Sequence, residues 1–339
     1  MALTGAGGFG EAVQRSAHLF ADNIVSVFFS PGSQFSLLSI GSALVLATIY
    51  MVVKRRRPVR FKVLTRALFS RRFLTSASTR ADIAFLAFNT LAAGVLFGWA
   101  MLSYAVVGKA VAGALTAVLG PMAATSLPIG ACVALMTLAI YLAYEFAYFG
   151  YHYLSHRIPF LWAFHRVHHT AEVLSPLTNF RVHPVDSLVF GNCVALMTGL
   201  VGGALTWALG RTVNPFVING TNVILVGFLF CLVHLQHSHI WISFRGVLGR
   251  IIMSPAHHQL HHSSNPAHFG SNFGSCLSVW DWMFGTLRMP GEKAERLTFG
   301  AAGPGERPHS VTGGLITPFI ESVKPTDEIG GGLFGQPQT

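Results

Sequence analysis

The chain has 339 residues, of which 52% are apolar and only 11% charged, with a formal net charge of +10. A soluble domain carries about a quarter charged residues, so the composition excludes a water-soluble globule. It equally excludes a disordered chain, which needs low hydrophobicity and high charge density. The long apolar runs point to a polytopic membrane protein.

Residues 1–34 form an N-terminal segment in which 9–29 reads as an amphipathic helix on the outer surface, and no signal peptide is expected there. A spanning helix needs about 20 mostly apolar residues. Residues 35–53 meet this and end at Lys54-Arg55-Arg56-Arg57. Residues 82–108 are a second span and 128–150 a third, followed by 186–209 and 219–242. The stretch 110–127, interrupted by Gly120-Pro121 and bounded by Pro128, reads equally as a span, a re-entrant piece or an interfacial one. Residues 59–75 alternate basic and apolar positions and read as an interfacial helix. Gly199 and Gly203 form a G-x-x-x-G that reads as helix packing. From residue 290 to 339 the chain turns polar and rich in Gly and Pro, which predicts a flexible tail.

Ten of the 23 Lys and Arg residues fall within 54–80. Directly after an apolar stretch, such a run reads as juxtamembrane anchoring, and no nucleic-acid partner is expected. The positive-inside bias puts the 54–80 loop in the cytosol and the N-terminus outside. Residues 151–185 and those after 242 then also lie on the cytosolic side. The expected fold is all-α, a membrane bundle of about four to five spans with a cytosolic, histidine-rich helical cap. The expected home is a bacterial inner membrane or the endoplasmic reticulum.

The four cysteines contain no C-x-x-C pair and suggest neither a disulfide framework nor a thiolate metal site. Histidine carries the chemistry: 14 of 16 lie between His152 and His268. His152 and His156 are spaced i, i+4, while His165, His168, His169 and His258, His261, His262 are both spaced i, i+3, i+4. On a helix those positions share a face, so each cluster can present two or three imidazoles toward a common point. One metal ion takes about four to six ligands, and eight clustered imidazoles suggest two ions. His183, His234, His237, His239 and His257 lie close by in sequence. No H-E-x-x-H or G-x-S-x-G is present. Only Glu145, Glu172, Asp186 and Asp281 supply carboxylates between residues 83 and 291, so a carboxylate-bridged centre is not expected.

The stretches His152-Tyr153-Leu154-Ser155-His156, Phe164-His165-Arg166-Val167-His168-His169 and Pro255-Ala256-His257-His258-Gln259-Leu260-His261-His262 resemble the three histidine boxes of the fatty acid hydroxylase/sterol desaturase superfamily. Asn179-Phe180-Arg181-Val182-His183-Pro184, Gln236-His237, Asn272-Phe273-Gly274 and Trp280-Asp281 resemble its linking pieces, and the likeness runs over about 141–288. The resemblance implies a non-haem centre of two iron ions that uses O2 to hydroxylate or desaturate a C–H bond of a membrane lipid. It implies His152, His156, His165, His168, His169, His258, His261 and His262 as ligands, and His237 as a further one. His183, His234, His239 and His257 are candidate ligands or hydrogen-bond donors beside them, and His239 stands where many relatives carry Asn. Asn179, Arg181, Asp186, Asn272 and Asp281 are expected to hold the ligands from behind. On this reading the chain divides into 1–34, a membrane part 35–127, a catalytic domain 128–289 and the tail 290–339. With no nucleotide or flavin segment of its own, the chain would take electrons from a ferredoxin or a small haem protein fed by an NAD(P)H reductase, docked at the basic 54–80 loop. The competing readings are a histidine-rich metal transporter and a zinc-dependent membrane hydrolase.

Overall fold

The computed structural model describes residues 14, 22, 24–33, 36–55, 73, 75–301 and 307–323. The described part is helical apart from one two-residue hairpin and irregular connections. The expected interfacial helix at 59–75, most of the basic loop, the start of the N-terminal segment and the end of the tail lie outside the described residues.

Among the described residues, four helices are long and apolar enough to cross a membrane: Leu37–Lys54, Gly98–Leu119, Ile129–Ser155 and Pro184–Ala208. We number the helices α1 (Leu37–Arg55), α2 (Ala77–Phe88), α3 (Tyr104–Leu119), α4 (Ile129–Ser155), α5 (Pro159–His169) and α6 (Pro184–Ala208). A shorter apolar helix, α7, runs Val223–Gln236. The cap adds α8 (Gly246–Ile251), α9 (Pro255–His261), α10 (Val279–Phe284) and α11 (Val311–Glu321). The chain is a multi-pass membrane protein.

α4 has 27 residues, about 40 Å at 1.5 Å per residue, against a hydrocarbon core of about 30 Å. The helix is thus long enough to cross with turns to spare, and His152 lies in its last turn with His156 as its C-cap.

The expected span at 82–108 is not one helix. α2 runs into a π-turn (Asn89–Ala93), a short helix (Gly94–Phe97) and a 3-10 turn (Gly98–Ala100), and the helix breaks before α3 begins at Tyr104. The neighbours show what the segment does. Asn89 Nδ2 donates to Phe180 O and Val182 O at 2.9 and 3.0 Å. Asn192 Nδ2 donates to Ala100 O at 3.1 Å and its Oδ1 accepts from Leu102 N at 2.7 Å. Further along, Gly108 meets Gly199 and Gly203, and Trp207 Nε1 donates to Gly120 O at 2.9 Å. Residues 89–120 thus run in step with 180–207 as a single interrupted crossing. The Asn192 amide satisfies the backbone groups that the break frees, which makes the break tolerable at membrane depth. α3 also answers for the undecided 110–127 stretch: it is helical to Leu119 and stops at Gly120, whose φ is +83°.

The expected span at 219–242 shrinks to α7. Asn219-Gly220, both at positive φ, close a hairpin pairing Val217–Ile218 with Thr221–Asn222, a two-residue turn that this dipeptide favours. Asn222 then caps α7 through its Oδ1 and Ile224 N. The helix ends where the polar His234, Gln236 and His237 begin, and His237 has left helical geometry.

Residues beyond 290, expected as a loose tail, include an ordered part of the cap. Trp241 Nε1 donates to Gly291 O at 3.0 Å, and Ser263 and Phe299 form a bridge. α11 lies on α5, with Phe319 edge-on to Phe164 at 5.2 Å and Arg166 paired with Glu321 at 2.5 Å.

Candidate metal centre

Each histidine-bearing element has a local reason for starting where it does. Proline occupies the first turn of α5, α6 and α9, where its missing N–H costs nothing. Ser254 and His257 form a reciprocal capping box at the start of α9. These starts fix the rotation of the helices and hence the direction of their imidazoles.

Nine imidazoles converge in two groups. His152, His156, His165, His169 and His261 make one, and His168, His237, His258 and His262 the other; within each group one ring nitrogen per residue lies within 4.8 Å of all the others. The groups adjoin, with the His169 and His262 rings 4.5 Å apart. Two members of each sequence triplet share a group, and the third crosses to the other. Residues i and i+4 differ by about 40° around a helix, whereas neighbours differ by about 100°. His165 and His169 therefore turn to one group while His168 turns to the other. His258 and His262 pair in the second group and His261 crosses to the first.

The arrangement fits metal ions. His237 Nε2 lies 3.0 Å from Nε2 of both His258 and His262, which are 3.1 Å from each other, and His168 Nε2 is 3.2 Å from His237. A neutral imidazole has one N–H, so a triangle of nitrogens cannot be satisfied by mutual hydrogen bonds. Nitrogens at about 2.1 Å from one cation and at right angles would stand about 3.0 Å apart. In the five-membered group, Nε2 of His152, His156 and His165 has no hydrogen-bond partner although buried.

The opposite ring edges are held. His152 Nδ1 donates to Phe273 O at 2.8 Å, His261 Nδ1 to Ser271 O at 2.9 Å and His165 Nδ1 to Asp186 Oδ2 at 3.2 Å. Such bonds select the tautomer with a free lone pair on Nε2. Asp186 Oδ1 in turn accepts from the Tyr151 hydroxyl. Burial, reinforced by neighbouring imidazoles, holds His168, His169, His258 and His262 well below the usual histidine range. Burial likewise brings His261 down to about 3. All are neutral near pH 7, the form that binds a cation. Among the described residues no carboxylate belongs to either group.

The remaining predicted residues separate by position. Asp281 accepts from Phe273 N and Gly274 N, both at 2.8 Å, and so braces the loop whose carbonyl holds His152. Asn272, at φ +61°, ties His257 O to Arg288 through its amide. Arg181 touches no histidine of either group. Fully buried, it pairs with Asp82 at 3.0 Å, holds Val167 O at the end of α5 and reaches Pro308 O. Asn179 borders a cavity beside the centre. Four of the candidate histidines stand outside both groups. His183 caps α6 through Val185 N and donates to Leu315 O; His234 bonds Ser39; His257 bonds Ser254; His239 is exposed.

Three contributors, Glu145, Tyr148 and Tyr151, went unassigned in the sequence reading. Glu145 Oε2 accepts from Cys276 N and Leu277 N at 3.1 and 2.9 Å, tying α4 to the same loop. Its place two turns before His152 on α4 was the available signal. Tyr148 and Tyr151, on the turn before His152, line the cavity with Asn89, Phe180 and Phe190. The cavity has about 320 Å³ and opens on His152 and His165 of one group and His168 and His237 of the other.

Membrane-crossing helices and short cap helices that together deliver nine imidazoles in two adjoining groups define a polytopic membrane protein with a candidate two-ion histidine centre. Residues 137–286 match the family model described as fatty acid hydroxylase, and this region belongs to the fatty acid hydroxylase/sterol desaturase superfamily. Among curated proteins, the alkylglycerol monooxygenase of Xenopus tropicalis is 27% identical over 154 residues, covering 45% of this chain and 30% of that protein. The ornithine lipid hydroxylase OlsE of Rhizobium tropici is 30% identical, over 43% of this chain and 40% of its own. A cholesterol 25-hydroxylase-like protein of Danio rerio is 28% identical, over 44% and 54%. The chain thus spans well under two thirds of the length of these relatives. No solved structure matches it significantly.

Proposed function

We propose that this chain is an O2-dependent lipid hydroxylase with two non-haem iron ions, five imidazoles facing one and four the other. The observation that carries the reading is the pair of carboxylate-free histidine groups opening together on one cavity. The printed names of the relatives, monooxygenase and hydroxylase, favour hydroxylation over desaturation.

Bound iron would supply O2 activation and removal of a C–H hydrogen. The chain's own residues do the rest. Phe273 O, Ser271 O and Asp186 fix ring orientation, and Tyr151 steadies Asp186. Phe180 and Phe190 make part of the cavity wall apolar, which limits water beside the centre. The centre lies at the end of membrane-crossing helices, beside the membrane face from which a lipid would enter. On the positive-inside reading it faces the cytosol, where an external donor, a ferredoxin or small haem protein with its reductase, delivers electrons.

The test is elemental analysis of detergent-purified protein without added metal. Close to two irons per chain is expected, with O2 consumed when lipid and reductant are supplied. His261→Ala should lower iron content and abolish the oxygenated lipid in a comparison of cell extracts. A folded protein with one metal or none would remove the two-ion assignment. Zinc that iron cannot replace would favour a hydrolase, and metal flux without O2 uptake a transporter.

A further inference from the structure

We propose that the outer faces of α8 and α10 form a membrane-contact surface. Neither helix spans; together they rest in the interfacial layer of the leaflet at which α4 ends, against phospholipid head groups and the upper acyl chains.

Val247, Leu248 and Ile251 on α8 and Trp282, Met283 and Phe284 on α10 are all exposed, Val247 by 71% and Met283 by 65%. The two helices are fastened side by side. Ser278 N donates to Ile251 O at 3.0 Å, and Ser278 Oγ to Gly249 O at 2.9 Å. Across the seam Arg250 lies over the Trp282 ring at 5.8 Å, so the exposed sides adjoin. Apolar patches rimmed by polar residues mark contacts with proteins or membranes.

What the patch continues identifies its partner as the membrane. Leu135, Leu138 and Leu142 are exposed along α4, a helix apolar enough to cross. Spaced i, i+3, i+7, they share one side, and Phe146 and Phe149 extend it at four and seven residues beyond Leu142. α10 covers both: Trp280 packs on Phe146 at 5.2 Å and Phe284 on Phe149 at 5.1 Å. Leu142 to Phe149 is about 10 Å along the axis, so the patch begins where the lipid-facing stripe of α4 stops. Its chemistry suits that level, where a tryptophan ring sits at the head groups and a neighbouring guanidinium reaches out to phosphate. The only acidic residue of the two helices, Asp281, is fully buried. It turns inward to brace Phe273 N and Gly274 N, so the helix that touches lipid also holds the loop behind His152.

Neither the surface nor its test depends on bound metal or on the hydroxylase reading. Full-length protein carrying Cys193→Ser and Cys231→Ser keeps only the buried Cys132 and Cys276. It receives one nitroxide label at a time, at Val247→Cys, Met283→Cys, Leu138→Cys on the α4 stripe or Lys293→Cys in the exposed loop after α10. Each labelled protein is placed in nanodiscs of phosphatidylcholine and phosphatidylglycerol. Electron paramagnetic resonance then measures collision of the label with O2 and with a water-soluble nickel chelate. The O2-to-chelate ratio at 247 and at 283 is expected to exceed that at 293 about tenfold and to approach that at 138, because an interfacial face sinks about 5–10 Å into the boundary of head groups and acyl chains. A ratio at either site no higher than at 293 overturns the proposal. Shielding from both reagents, with dipolar broadening that vanishes when unlabelled protein is mixed in before reconstitution, overturns it in favour of a second copy of the chain.

Discussion

His237 and His239 are two positions apart, yet one joins a group of four imidazoles and the other faces outward. His237→Ala should therefore lower the metal content of the purified protein by half or more, while His239→Ala leaves it unchanged; elemental analysis of the two variants decides. Asp186 offers a second test. Asp186→Asn keeps the volume but loses the carboxylate that takes the His165 N–H, and partners of this kind typically contribute about 10- to 100-fold in metal affinity. A chelator competition should show a loss in that range, with a smaller one for Tyr151→Phe. Much of this was legible in the sequence. Spacing alone brought His152, His156 and the two triplets together, because i, i+3, i+4 geometry is fixed by the helix. Spacing could not say that His168 and His169 part company, since that depends on where two focal points lie in space. Nor could it separate His183, a helix cap ahead of Pro184, from a ligand.

At the level of elements, the tightest contact is between α3 and α6. A Cβ on Gly203 would stand 2.4 Å from Gly108 O, whereas one on Gly113 would meet nothing within 4 Å. Gly203→Ala should cost about 1–3 kcal/mol through forced separation of the helices. Gly113→Ala, on the open side of α3, should gain up to about 1 kcal/mol from helix propensity. Thermal unfolding of both in one detergent would show opposite shifts. The G-x-x-x-G announced this packing, but hydropathy misplaced the crossing it packs against. A window of apolar residues cannot register that Asn192 repairs a helix break ninety positions earlier. The same averaging carried the last span across Asn219-Gly220 and on to the polar residues ending α7. Turn chemistry would have trimmed it.

For the whole molecule, the buried histidines set an acid limit. His168, His169, His258, His261 and His262 are held below their ordinary range in the fold and return to about 6.5 when it opens. Below that pH the unfolded chain binds protons that the metal-free native state refuses, so stability falls as pH drops, by up to about 1.4 kcal/mol per pH unit for each residue. Denaturation of metal-free protein at pH 7.5 and 5.5 should show a marked loss at the lower pH, and a flat response would contradict the burial of these rings. The exchange of neighbours between the two groups has a further consequence. α5 and α9 each serve both, so a cation that fixes the rotation of either helix for one group also sets the aim of the rings for the other. On the proposed two-ion reading, half-filled protein is then the disfavoured species, and the two positions are expected to load and empty as a unit, the chain passing between a vacant and a fully charged form.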